Sequence, residues 1–278
     1  MPELPEVETV RRSLLPVVVG KEIRKVEIYL EKAVKLIPPE EMKVALTGRE
    51  IKDLIRRGKY LVFLLDNGQR VAFHLRMTGK LLYKTGLTTP EKHTTLILSF
   101  SDGNSLHFVD PRKFGTVVLY TSDNPPAGLK KLGPEPVDDE KEVVLSSLKT
   151  AASRRKGPVK GLLLDQTVIA GLGNIYADET LFLAGVHPTR PAREISTGEW
   201  EKIYQSIKEV LTAAIKNRGT TRQDYVDGRG VPGEHQNFLN VYGRKEEPCR
   251  VCGSPITYTR VAGRGTHYCP NCQPLKKV

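Results

Sequence analysis

The four cysteines of this chain fall in two C-x2-C pairs, Cys249-Arg-Val-Cys252 and Cys269-Pro-Asn-Cys272, with sixteen residues between them. A tight turn carrying two thiolates at that spacing is a zinc knuckle. A hairpin between two knuckles brings all four sulfurs to one tetrahedral site. A redox dithiol is the competing reading of each pair. Four protein ligands leave no coordination position for water, so the expected ion, one zinc, is structural. A catalytic deaminase-type zinc needs a histidine ligand and a nearby H-x-E, and the six histidines offer no such grouping. All four cysteines lie in the last thirty residues, which argues against a dispersed secreted disulfide framework. From Cys249 onward there are five basic residues (Arg250, Arg260, Arg264, Lys276 and Lys277) and no acid, which suits this module to phosphate contact.

Charge over the whole chain points the same way. Its 43 Lys+Arg against 32 Asp+Glu leave a formal +11 over 278 residues, which favours a polyanionic partner. No apolar run reaches the roughly twenty residues that cross a bilayer, and MPELPEVETVRRSL has no signal-peptide core. A cytoplasmic location is the expectation.

The first segment reads as a short helix: Pro5 suits a first helical position, and Val7, Val10 and Leu14 share one face before Pro16 and Gly20 end the run. From Glu22 to Tyr120 the pattern alternates instead. Apolar positions Ile23, Val26, Ile28 and Leu30 are followed by candidate strands over 60–65, 70–76, 94–100, 105–109 and 115–120. Asp66-Asn67-Gly68 and Asp102-Gly103-Asn104 each sit between two such runs and predict hairpins. Many short strands with few helices predict a β-sandwich or a flattened barrel. The Pro-, Gly- and Asp-rich stretch 122–139 reads as a linker. Beyond it Trp200, Ile203, Ile207, Val210, Leu211, Ala214 and Ile215 mark one long amphipathic helix, with Gly219 at its C-terminal cap. The polar, Gly-rich stretch 218–237 that follows is long for a connection and is a candidate functional loop with few apolar residues to pin it.

The N-terminus carries its own chemistry. Initiator methionine is normally removed before a side chain as small as Pro2, and a free proline nitrogen is a secondary amine. From an α-amino pKa of about 7.7–8.0, roughly a tenth is neutral and nucleophilic at pH 7. Attack on an aldehydic carbon gives an iminium, an electron sink. Glu3 and Glu6 lie within one helical turn of that amine, although acids also gather at helix N-termini simply to complement the dipole.

MPELPEVET at the start, GLGNIYADETLF at 171–182, VYGR at 241–244 and the C-x2-C pair together resemble the formamidopyrimidine-DNA glycosylase/endonuclease VIII family, in order and over essentially the whole chain. Leu4 and the form of the later motifs are similar to the formamidopyrimidine branch. The resemblance implies an α+β protein. An N-terminal catalytic β-sandwich preceded by a helix spans 1–130, a helical DNA-binding domain with a helix–two-turn–helix motif 131–245, and a zinc β-hairpin finger 246–278. It implies a monomer that acts on damaged double-stranded DNA as a bifunctional glycosylase/AP lyase for oxidised purines.

Residue by residue, the same resemblance makes Pro2 the nucleophile at C1′, Glu3 the acid that protonates the deoxyribose ring oxygen, and Glu6 a supporting carboxylate. Lys59 in RRGKYL is the phosphate-contacting lysine beside the active site. Met77 in HLRMTGK, with Arg112 and Phe114 in DPRKFG, would fill the gap left by the extruded nucleotide. Read by composition alone, Met77 and Phe114 are ordinary core residues and Lys59 belongs to a solvated basic turn. Asn174, Lys160, His74 and Tyr242 are implied phosphate contacts, Gly171 and Gly173 letting backbone N–H groups approach a phosphate beside Asn174. Arg264 in GRGTHYC is the finger arginine at the DNA backbone. Thr78 stands where some relatives have a Glu that can contact the flipped base. Two rivals remain at this point: an endonuclease VIII-like preference for oxidised pyrimidines, and a non-enzymatic DNA clamp, which would have no use for a free secondary amine.

Overall fold

The computed structural model describes residues 1–86 and 88–275, so Lys276 and Lys277 of the basic module lie outside the described residues. The chain forms two compact units, Met1–Lys130 with Asn217–Gln236, and Lys131–Lys216 with the stretch from Asn237 onward.

The first unit opens with helix α1, Leu4–Val18. Pro16 does not end it: the helix runs two residues further, because a proline near the last turn removes only one N–H, and left-handed Gly20 (φ 80°) then turns the chain. Strand β1 (Ile23–Ile28), the two-residue β2 (Val34–Lys35) and helix α2 (Pro39–Leu46) follow. Next come β3 (Ile51–Arg57), β4 (Tyr60–Leu65), β5 (Gln69–His74), β6 (Lys80–Lys84), β7 (Thr94–Phe100), β8 (Ser105–Val109) and β9 (Thr116–Thr121), closed by the short helix α3 (Ala127–Lys130).

These strands make two sheets, ordered β1-β7-β8-β6 and β2-β9-β5-β4-β3, antiparallel except where β2 meets β9. Both expected hairpins are present, with Gly68 and Gly103 at positive φ in the turns β4–β5 and β7–β8. Alternating side chains of the two sheets, among them Leu54, Phe63, Phe73, Leu98, Phe100 and Phe108, meet in one core, and α1 adds Val7, Val10, Leu14 and Val18 to it. The sandwich is therefore the form the alternation takes. Glu8 ties α1 to β3: burial works against its ionisation, but bonds from Arg11 and Arg12 and the charge of Arg56 outweigh it and hold the carboxyl at about 2.

The second unit contains helices α4 (Lys141–Ser153), α5 (Val159–Leu163), α6 (Asn174–Leu183) and α7 (Thr197–Lys216), then the hairpin β10 (Thr257–Val261) and β11 (Arg264–Tyr268). The helical period read around Trp200 belongs to α7, whose Trp200, Ile203, Ile207, Leu211 and Ala214 are buried. A smaller core of Phe182, Val241, Cys249, Ile256 and Cys269 sits under the hairpin. No helix among the described residues is long and apolar enough to cross a membrane.

Candidate functional site

In the first unit the start of the chain is buried. Pro2, Glu3 and Glu6 are all sequestered, Glu3 at the N-cap of α1 and Glu6 one turn inside it. The Glu6 carboxylate joins two segments that lie more than two hundred residues apart. One oxygen accepts the Glu3 backbone N–H at 2.8 Å and the other accepts the Thr220 N–H at 2.7 Å. Ordering this carboxylate fixes the backbone of Glu3, next to Pro2, and it seats the 217–236 segment against α1.

That segment is anchored by hydrogen bonds as well as by Tyr225, which packs against the core. Tyr225 Oη donates to the Glu6 carbonyl (3.2 Å), Gly228 N to Ser13 Oγ (2.9 Å) and Tyr83 N to the Gly228 carbonyl (2.8 Å). Residues 222–224 and 229–232 are left exposed. Helix α7 ends before a pair of left-handed residues, Arg218 (φ 60°) and Gly219 (φ 78°). Gly219 thus does more than cap: a Cβ there would lie 2.8 Å from Glu6 Oε1.

Lys59, buried in the turn between β3 and β4, places its charge near His74 at the end of β5. Burial first, then the charges of Arg76 and Lys59, push the His74 imidazole down to about 3, so it is neutral at pH 7. Its Nδ1 accepts the Arg76 N–H at 3.0 Å, which leaves Nε2–H as a neutral donor.

Met77, Arg112 and Phe114 come together although 35 residues separate the first two. Arg112 Nη1 lies 3.1 Å from Met77 Sδ, and the guanidinium carbon sits 5.1 Å from the centre of the Phe114 ring. Met77 and Phe114 are 44% and 54% exposed, so neither is the core residue that composition favours.

The second unit gathers Lys160, Asn174, Tyr242 and Arg264 around α6. Asn174, its first residue, donates from Nδ2 to the Gly265 carbonyl at 2.9 Å. Gly171, at φ 86°, makes the turn that leads into this helix. Arg264 is exposed at the start of β11, after the left-handed turn Ala262-Gly263. Tyr242 is half-buried, its ring 5.2 Å from that of His267.

Lys160 departs from expectation. It is fully buried on α5, with Nζ 2.7 Å from Asp178 Oδ1, 3.0 Å from the Gly265 carbonyl and 2.8 Å from Thr266 Oγ1. An ammonium enclosed in this way is not available to a phosphate; it clasps the hairpin to α5 and α6.

The sequence reading also missed Asp178 and Glu179. Asp178 takes the His267 N–H (2.9 Å), and Glu179 takes the N–H groups of Asn240, Val241 and Tyr242 at 2.8–2.9 Å. Burial raises the Glu179 pKa against the pull of those bonds. The signal available was a pair of acids inside an otherwise apolar helical run, where an unpartnered carboxylate is too costly to bury.

The four cysteine sulfurs lie within 4.8 Å of one another, with Cys249–Cys272 at 3.8 Å and Cys252–Cys269 at 3.4 Å. Bonds of about 2.3 Å to a tetrahedral zinc would space them about 3.8 Å apart. Backbone N–H groups of Val251 and Cys272 point at Cys249 and Cys269 sulfurs, the donors a thiolate wants. The set fits one structural zinc.

Three family models match in succession: the formamidopyrimidine-DNA glycosylase N-terminal domain over residues 1–117, its H2TH domain over 132–225, and the zinc finger found in FPG and IleRS over 246–275. A formamidopyrimidine-DNA glycosylase of Pelotomaculum thermopropionicum is 45% identical over 278 residues, 99% of this chain and 100% of that protein. Among solved structures, the complex of Lactococcus lactis Fpg with an abasic site containing DNA has a TM-score of 0.90 at 41% identity, covering 98% of this chain and 100% of that one. A mutant of the same L. lactis protein with a Fapy-dG containing DNA has a TM-score of 0.91 at 41% identity, covering 99% and 100%.

Proposed function

Because the chain belongs to the formamidopyrimidine-DNA glycosylase family, we propose that it excises oxidised purines, chiefly 8-oxoguanine and formamidopyrimidines, from duplex DNA and then cuts the abasic strand, with Pro2 as the attacking amine. It is a DNA glycosylase and AP lyase of base excision repair, with one structural zinc in its finger. A DNA substrate assigns its work to the nucleoid, in the cytoplasm.

Once Met1 is removed, the Pro2 nitrogen attacks C1′ of the damaged nucleoside and the base leaves. Glu3 supplies the proton that opens the deoxyribose ring at its oxygen. The iminium that results withdraws electrons from C1′ and acidifies the C2′ protons, so β-elimination breaks the strand on the 3′ side and δ-elimination on the 5′ side. Glu6 holds the backbone of Glu3 and Thr220 in place through these steps. Lys59 and the neutral His74 offer a charged and an uncharged donor to phosphates on one face of the sandwich.

A base must leave the stack to reach the amine. Met77, Arg112 and Phe114 occupy the hole it leaves. In the second unit Asn174, Tyr242 and Arg264 hold the DNA backbone, while Lys160 positions the hairpin that carries Arg264.

The observation that carries this reading is the buried Pro2-Glu3-Glu6 start, in which the Glu6 carboxylate is braced from residue 220. Glu3 and Glu6 also form a capping box for α1, but a box serving the helix alone would need no bond from Thr220. A panel of duplexes bearing 8-oxoguanine, a formamidopyrimidine or an oxidised pyrimidine tests it. Excision should be fastest on the two purine lesions. Preference for the pyrimidine would move the chain to the endonuclease VIII-like reading, and tight binding without excision would make it a clamp.

A further inference from the structure

The loop that bears Arg112 and Phe114 is organised by a carboxylate outside the expected site. Asp110, 1% exposed at the end of β8, accepts four hydrogen bonds. Its Oδ1 takes Thr78 Oγ1–H at 2.5 Å and Arg112 N–H at 3.2 Å, and its Oδ2 takes the N–H groups of Phe114 and Gly115, both at 2.7 Å. The Thr78 hydroxyl, while donating to Asp110, also lies 3.3 Å from Arg112 N and accepts from it. One carboxylate and one hydroxyl therefore join the Met77 loop to the Arg112–Phe114 loop. Glycines close both ends: a Cβ at Gly115 would lie 2.4 Å from the Phe108 ring, and one at Gly79 2.5 Å from the Leu75 carbonyl.

We propose that Asp110 and Thr78 are positioning residues that hold Met77, Arg112 and Phe114 as a single preformed wedge, so that base extrusion is not charged with ordering the loops that fill the gap. The proposal rests on the reading of those three side chains as gap fillers. Loops and side chains ordered only on insertion would subtract their lost freedom from binding, and a rigid wedge avoids that loss. Thr78 accordingly serves the scaffold. Its hydroxyl is engaged on both sides and does not read the flipped base.

The test compares single-turnover excision from an 8-oxoguanine duplex with cleavage of a preformed abasic site, for Phe114→Ala, Thr78→Val, Thr78→Ser and the Thr78→Val/Phe114→Ala double variant. Thr78→Val should slow excision roughly tenfold, the worth of one hydrogen bond to a charged group, and slow abasic cleavage much less. Thr78→Ser should restore excision, and Thr78→Val should add less than about twofold once Phe114 is gone, because residues acting through one element are not additive. If Phe114→Ala slows both substrates equally, the gap-filling reading itself fails. If Phe114→Ala is selective for the lesion duplex, three results overturn the staple: no effect of Thr78→Val, equal loss on both substrates, or a full additional loss in the double variant. Failure of Thr78→Ser to rescue overturns it as well, since the hydroxyl would then not be the working group.

Discussion

At Gly219 the backbone has φ 78° and a methyl group would meet Glu6 Oε1 at 2.8 Å, so two separate restrictions fall on one residue. Alanine there must adopt a left-handed backbone and displace the carboxylate that braces Glu3. Gly219→Ala should cost at least about 1 kcal/mol of stability from the backbone alone. It should also slow excision, since Glu6 has to move; urea unfolding and single-turnover rates on one preparation check both. A variant as stable and as fast as the parent would mean that the Glu6–Thr220 brace is dispensable. Residues of this kind divide by how far away their partners are. The four cysteines are legible because a metal knuckle depends on spacings of a few positions. The proposed roles of Pro2, Glu3 and Glu6 come from the family resemblance, since spacing alone also fits helix capping. Asp110, Lys160 and Asp178 are not legible, because Thr78 lies 32 residues from Asp110 and Gly265 lies 105 from Lys160. A lone Asp before Pro reads only as a turn, and the resemblance makes Lys160 a phosphate contact until its burial is known.

Among the elements, the alternating runs and both Asp/Asn-Gly turns located most of the sandwich, but β3, β6 and α2 were not legible. Lys52, Asp53, Arg56 and Arg57 make β3 look like a charged loop. Their cost is met locally, since Ile51 and Leu54 face the core while Arg56 reaches Glu8 on α1. In the second unit the hairpin β10–β11 depends on two devices. The first is the Lys160–Asp178 pair, with both side chains fully buried. Removing one partner of such a pair costs about 3–5 kcal/mol, because the other charge stays buried alone. Lys160→Met should therefore lower thermal stability sharply, and Lys160→Met/Asp178→Asn should recover part of the loss. A change below about 1 kcal/mol, the size of an exposed pair, would contradict the clasp. The second device is the zinc. Structural zinc contributes on the order of 10 kcal/mol in small fingers, so chelation should unfold the hairpin and abolish DNA binding while the sandwich stays folded. Purified protein with metal near zero and full activity would refute a structural zinc.

Taken over the molecule, two buried imidazoles and one arginine-paired carboxylate make acid destabilising. Burial pushes His235 down to about 4 and, with the charges of Arg76 and Lys59, His74 down to about 3, so both are neutral in the folded chain. Unfolding releases them to an ordinary value of about 6.5. Below that pH the unfolded chain binds more protons, and stability falls as pH is lowered from about 6.5 towards 4. Glu8, held at about 2, extends the loss below about 4.5. Urea midpoints should thus drop between pH 6.5 and 4, with proton uptake on unfolding; a midpoint rising with acid over that range would contradict these assignments. In the proposed reaction the nucleophile is the secondary amine of Pro2. While Met1 remains attached, that nitrogen is an amide with its lone pair delocalised into the carbonyl. Borohydride trapping on an 8-oxoguanine duplex should be run with protein shown by mass spectrometry to begin at Pro2, and with protein bearing an uncleavable N-terminal extension. A trapped adduct mapping to the N-terminal peptide should form only with the first. Equal trapping by the extended chain would contradict Pro2 as the nucleophile and would pass the role to a lysine, with Lys59 the first to examine.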